Sequence, residues 1–180
     1  MICDLITDKI YSEICKIISW KIKPDMVITD IKDLSIDFLY ELKKSIDVLI
    51  IDVDETLRFD MKPISEVNKE WLKNVNNIIK IVVVSNGYDA NIEKCLNGLE
   101  IPYYKLVNKP LKYKLKKILL NLNIKGENTM FIGDDYFTDI LSGYRMNARK
   151  CLVKKIWHYI IIMLYFMWGS YGRKRFNRNI

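Results

Sequence analysis

Four short polar clusters in this chain carry residues able to do chemistry, and each follows an apolar run or a loop. Asp52, Asp54 and Thr56 follow Val48-Leu49-Ile50-Ile51; Ser85 and Asn86 follow the run from Ile79 to Val84; Lys109 precedes Pro110; Asp134, Asp135 and Asp139 follow the run from Thr129 to Ile132. Asp52 and Asp54, two apart, are expected to leave a strand on the same side, where two carboxylates repel one another. A divalent cation relieves that repulsion. Mg²⁺ suits such a set, because it takes oxygen ligands and keeps several waters, which leaves positions for a substrate phosphate. Hydroxyls (Thr56, Ser85), an amide (Asn86), free backbone N–H groups and Lys109 suit the oxygens of that phosphate. The clusters together describe a phosphate site facing a metal site.

The elements that must position these residues alternate. Uninterrupted apolar runs are what strands buried on both faces of a parallel sheet look like, and open α/β sheets bind ligands beyond the carboxyl ends of their strands. Helical periodicity predicts helices over Ile2 to Ile18, Ser35 to Ile46 with Ser35 as N-cap, Ser65 to Ile79, Ala90 to Leu96 stopped by Gly98, Leu111 to Leu122 with Pro110 in its first turn, and one beginning at Thr138. Strands are predicted at 48–51, 79–84, 101–104 and 129–132, with Lys150-Cys151-Leu152-Val153 as a last one and 24–34 as a short extended piece. Strand, helix and strand within about thirty residues make one crossover unit. The predicted fold class is therefore α/β: a three-layer, Rossmann-like parallel sheet with helices on both faces. Residues 1–23 form an N-terminal amphipathic helix in this reading, 24–153 the core, and 154–180 an apolar, then basic tail.

With 180 residues and half of them apolar, the chain can bury a sizeable core. The net charge of +7 admits an anionic partner, but lysine and isoleucine are abundant throughout, and no interleaving of basic and aromatic residues marks a nucleic-acid face. Cys3, Cys15, Cys95 and Cys151 are scattered without metal-ligand spacing, the pattern of reduced, packed thiols. Asp4 and Asp8 stand where a signal peptide would carry positive charge, which predicts a cytoplasmic protein.

Taken in order, the clusters resemble the four motifs of the haloacid dehalogenase superfamily: Asp52-Val53-Asp54-Glu55-Thr56 is similar to motif I (DxDxT), Ser85 to motif II, Lys109 to motif III, and Gly133-Asp134-Asp135 with Asp139 to motif IV. The resemblance implies that Asp52 is a nucleophile forming an aspartyl-phosphate and that Asp54 is the acid that protonates the leaving alkoxide, then the base that activates water. It implies Mg²⁺ on Asp52, the main-chain carbonyl of Asp54 and Asp134, with Ser85 and Lys109 binding the phosphoryl oxygens. Asp139 is expected to orient Lys109 or a metal-bound water. No role follows for Asp135. An acid at position 54 favours phosphate-ester hydrolysis over dehalogenation, since an alkoxide needs a proton to leave.

Spacing narrows the class further. Residues 58–80 hold little more than one helix and residues 88–108 a helix and a strand, which leaves no room for a cap domain. The stretch from Pro24 to Val153 resembles the capless YqeG-type phosphatases, which are related to phosphatidylglycerophosphatases. In those, the last motif reads GDQxxTD and the second SNN; here Asp135 and Gly87 differ. An open site implies a large substrate or a lid supplied by a partner. The segment from Ile156 to Trp168 is apolar except for His158, with Lys154 and Lys155 before it and Arg173, Lys174, Arg175 and Arg178 after it. It is shorter than the roughly 20 residues of a spanning helix, so packing on the domain or a dimer interface stands beside peripheral attachment to an anionic membrane. Three readings result: a phosphomonoesterase acting on phosphatidylglycerophosphate; the same domain acting on a phosphoprotein, a nucleic-acid end or a soluble phosphate; and a non-enzymatic interaction protein. Inactive relatives usually lose motif residues, and none is missing here.

Overall fold

The computed structural model describes residues 2–154, the first eight of these by backbone alone. The tail from 155 onward, including Ile156 to Trp168 and His158, lies outside the described residues. The chain order is α1 (Ile2–Lys21), β1 (Met26–Ile28), α2 (Ile36–Leu42), β2 (Val48–Asp52), α3 (Glu66–Asn76), β3 (Lys80–Val84), α4 (Ala90–Gly98), β4 (Tyr103–Tyr104), α5 (Lys112–Asn121), β5 (Thr129–Gly133), α6 (Leu141–Arg145) and β6 (Arg149–Val153). All strand pairs are parallel, in the order β1-β6-β5-β2-β3-β4. The order reverses between β2 and β5, and a crevice opens at such a point beyond the carboxyl ends of the strands.

Alternation along the central strands separates the two faces. Leu49, Ile51, Ile81, Val83, Met130 and Ile132 pack against Leu39 of α2, Leu72 and Val75 of α3 and Leu96 of α4. Val48, Ile50, Val82, Val84 and Phe131 pack on the other side against Leu115, Ile118 and Leu119 of α5. Every residue of β2 and β5 is buried, so both strands are covered above and below and their carboxyl ends are fixed in position. The expected three-layer α/β architecture is present.

Helix boundaries differ from the periodicity where the chain has to turn into a strand. Helix α2 ends at Leu42 rather than Ile46, yet Ile46 stays fully buried because its N–H donates to the Leu42 carbonyl (2.9 Å) in the closing turn. Helix α3 ends at Asn76, whose side chain accepts from the Ile81 N–H (3.0 Å) and leads the chain into β3. Pro110 lies before α5 rather than in its first turn: the Leu111 N–H donates to Asn108 (2.8 Å) in a turn whose Lys109–Pro110 bond is cis. The helix predicted from Thr138 begins earlier, as a π-helical turn over Tyr136–Ile140 in which the Ile140 N–H reaches back to the Asp135 carbonyl (3.1 Å). Such turns occur often at functional sites.

Candidate active site

Asp52 is the last residue of β2, and its side chain lies on the α5 side with Val48 and Ile50. The Lys109 ammonium reaches it from the turn before α5, with Nζ 2.5 Å from Asp52 Oδ1 and 2.5 Å from Asp139 Oδ1. Asp139 comes from the π-helical turn and is buried, as is Lys109. Asp134 follows β5. Oxygens of Asp52, Asp134 and Asp139 all lie within 4.8 Å of one another.

Three carboxylates around one ammonium leave an excess of negative charge in a largely dry place. Burial, then the Asp139 charge, pushes the Asp52 carboxyl up to about 8 against the pull of Lys109. Burial, then Asp139 and Asp135, pushes Asp134 up to about 7. Burial raises Asp139 as well, opposed by Lys109. For Lys109 burial works against the charge, but Asp139 and Asp52 outweigh it and hold the ammonium protonated. Oxygen ligands with surplus negative charge fit a hard divalent cation. Both oxygens of Asp139 are already engaged, one by Lys109 and the other by the Asp135 N–H (3.2 Å), so Asp52 and Asp134 are the side chains with oxygen to offer.

Asp54 does not join the cluster of Asp52, Asp134 and Asp139. The strand ends at Asp52, Glu55 has a positive φ of 55°, and the N–H groups of Leu57 and Arg58 turn back onto the Val53 carbonyl. The Asp54 side chain accepts instead from Arg58 Nε (2.7 Å), and Arg58 Nη1 also donates to Asp89 (2.5 Å), the N-cap of α4. Ser85 is buried and its Oγ accepts from the Gly87 N–H (3.0 Å). The Asn86 amide takes a job that the sequence did not suggest: its Oδ1 accepts from the Lys109 N–H (2.5 Å) and its Nδ2 donates to the Lys109 carbonyl (2.9 Å). That reciprocal pair holds the backbone of Lys109, so the amide is not free for a phosphate. Thr56 is buried with its hydroxyl oxygen unpartnered.

A profile of haloacid dehalogenase-like hydrolases matches residues 30–147, more than half of the chain. The chain belongs to this family. Among curated proteins this hydrolase is similar to probable phosphatase YqeG of Bacillus subtilis, with 27% identity over 132 residues, 72% of this chain and 76% of that one. Among solved structures it matches a hypothetical protein from Xanthomonas campestris at TM-score 0.53 and 17% identity, covering 71% of this chain and 75% of the other. It also matches a 3-deoxy-D-manno-octulosonate 8-phosphate phosphatase from Yersinia pestis at TM-score 0.45 and 19% identity, over 53% of this chain and 58% of that one, less than two thirds of its length.

Three residues of the hydrolase's site escaped the sequence reading. Arg58 and Asp89 hold Asp54, and the only signal that could have found them is the arginine two residues after the DxDxT run. Tyr11 of α1 donates to Asp135 Oδ2, a contact across 124 residues with no local signal. Burial, then the Asp135 carboxylate, holds that hydroxyl protonated far above its usual range.

Proposed function

We propose that this hydrolase is a Mg²⁺-dependent phosphomonoesterase working through an aspartyl-phosphate on Asp52. The observation that carries the reading is the Asp52 carboxylate at the reversal point of the sheet, held through one oxygen by a buried lysine. Its other oxygen attacks phosphorus, and the bond to the ester oxygen breaks. Asp54 supplies the proton that the departing alkoxide needs, then takes one from the water that attacks the aspartyl-phosphate. The Asp54 side chain is 45% exposed, which leaves it free to swing from Arg58 to the leaving group. Lys109 Nζ, the Ser85 hydroxyl and the Thr56 hydroxyl are the donors for the phosphoryl oxygens as charge spreads over them. The Asn86 amide acts indirectly, by holding Lys109. The carboxylates of Asp52 and Asp134, with the main-chain carbonyl of Asp54, would hold Mg²⁺, which when bound screens the anionic nucleophile from the anionic phosphate.

The segments 58–80 and 88–108 contain α3 and β3's first residue, and α4 and β4, with nothing that forms a cap. A crevice that neither of these segments caps suits a phosphate on a large or surface-bound molecule. The resemblance to the YqeG-type phosphatases and the apolar run 156–168 together favour phosphatidylglycerophosphate, with the protein peripheral on the cytoplasmic side of a membrane. Among the described residues no helix is long and apolar enough to cross one. The test compares phosphatidylglycerophosphate in vesicles with a panel of soluble phosphates, a phosphopeptide and a 5′-phosphorylated oligonucleotide. Turnover on vesicles is expected to exceed the rest; good activity on soluble or macromolecular phosphates beside inactivity on vesicles sinks the lipid substrate but keeps the phosphatase.

A further inference from the structure

The metal-side loop of this site is held by the first helix of the chain. Tyr11 of α1 donates its hydroxyl hydrogen to Asp135 Oδ2, and its ring meets Phe137 edge-on with centroids 6.0 Å apart at 75°. Asp135 is the residue after Asp134. Its second oxygen, Oδ1, accepts from the N–H groups of Phe137 and Thr138, both at 2.7 Å, and so caps the π-helical turn Tyr136–Ile140. That turn delivers Asp139, which accepts from the Asp135 N–H through Oδ2 (3.2 Å) and from Lys109 through Oδ1 (2.5 Å). Lys109 then reaches Asp52. One set of hydrogen bonds therefore runs from α1 through Asp135, the neighbour of Asp134, to Asp139, Lys109 and the nucleophile.

The loop is also packed on the sheet through Asp139 and Ile140, both buried, so the orientation of Asp135 is what its hydrogen bonds decide. Gly133 lets the Asp139 side chain approach the backbone closely, since a Cβ there would lie 2.3 Å from the Asp139 carboxylate. Asp135 carries the capping interactions of the turn, and a carboxylate that must satisfy two N–H groups from one oxygen is oriented by whatever engages the other. Tyr11 engages the other.

We infer that Tyr11 is a positioning residue for the cation site: by holding Asp135 it fixes the loop that presents Asp134 and Asp139, so the seating of α1 sets how tightly Mg²⁺ is bound. The activity readout rests on the phosphatase reading, whereas the binding readout does not. Groups that orient metal ligands from outside the first set of contacts typically affect metal affinity by about 10-fold or more.

The experiment uses the full chain. Mg²⁺ binding to the substrate-free protein is followed by titration calorimetry for the parent, Tyr11→Phe, Asp135→Ala and Asp135→Asn, with circular dichroism confirming the fold of each. Tyr11→Phe keeps the ring on Phe137 and removes only the hydroxyl; it is expected to weaken Mg²⁺ by about 10-fold. Asp135→Ala is expected to weaken it at least as much, and Asp135→Asn, whose one oxygen can accept from the two N–H groups while its NH2 donates to the Tyr11 hydroxyl oxygen, to stay within about twofold of the parent. With a phosphate ester, the loss in Tyr11→Phe is expected at low Mg²⁺ and to vanish at saturating Mg²⁺. A Tyr11→Phe protein with the parent's Mg²⁺ midpoint overturns the assignment, as does a folded Asp135→Ala protein with that midpoint. A parent that binds Mg²⁺ but cleaves no phosphate overturns the functional reading alone; a parent that binds no Mg²⁺ overturns both.

Discussion

Asp54 and Asp52 are two residues apart in sequence, yet the structure places them in unlike settings. Asp52 lies among Asp134, Asp139 and Lys109, whereas Asp54 is half-exposed and held by Arg58. A proton donor is most useful when the leaving group is poor. Asp54→Asn should therefore lower kcat on alkyl phosphates by about 10²–10⁴-fold and on an aryl phosphate with an acidic phenol far less. Steady-state rates on a pair of such esters check this; equal losses on both would remove Asp54 from the proton-donor role. The raised carboxyls carry a second prediction. In the metal-free fold Asp134 and Asp52 keep protons up to about 7 and about 8 that an unfolded chain releases near pH 4. Their contribution to stability is full below about pH 4, declines above it and is gone once the pH has risen through about 8. Melting temperature in a chelator is expected to fall from pH 5 to pH 9, and Mg²⁺ to raise it most at the alkaline end. A melting temperature that rises with pH in chelator would contradict the buried, cation-free carboxylate cluster.

The strands were legible as elements because burial on both faces leaves an unbroken apolar run, and the ends of β2, β3 and β5 follow from it. The π-helical turn was not, since its i to i+5 bond leaves no periodicity over five residues and reads as the start of an ordinary helix. The Asn86 amide pair with Lys109 was equally hidden, because it joins residues 23 apart through a turn. Glycine identities make these elements testable. A Cβ at position 133 would meet the Asp139 carboxylate at 2.3 Å, so Gly133→Ala must displace the group that orients Lys109. Phosphatase activity is expected to drop by about 10²-fold or more, with overpacking costing about 1–3 kcal/mol in urea denaturation. At position 126 a Cβ would lie 1.7 Å from the Met146 carbonyl oxygen, between the turn before β5 and the end of α6. Gly126→Ala is far from the crevice and should lower stability by a similar amount while leaving kcat within about twofold. Loss of activity in a still-stable Gly126→Ala protein would show that this turn matters to the site in a way the contacts do not convey.

At the scale of the whole molecule, the sheet order explains why residues spread from position 52 to position 139 meet. Parallel strands deliver all their carboxyl ends to one edge, and the reversal between β2 and β5 opens a place there for a ligand. Motif order and apolar runs made this architecture readable in advance, together with the meeting of Asp52, Lys109, Asp134 and Asp139. The seating of α1 was not readable, since Tyr11 and Asp135 are joined only by the fold, and the substrate was not, since the proposed phosphate donors do not bear on what the phosphate is attached to. The central claim is that Asp52 takes the phosphoryl group. Its most direct test is the rate of p-nitrophenyl phosphate hydrolysis in Mg²⁺ by the parent and by Asp52→Asn at equal concentration. The account predicts at least about a 10³-fold loss in the variant, because the nucleophile itself is removed. A variant as fast as the parent would contradict it.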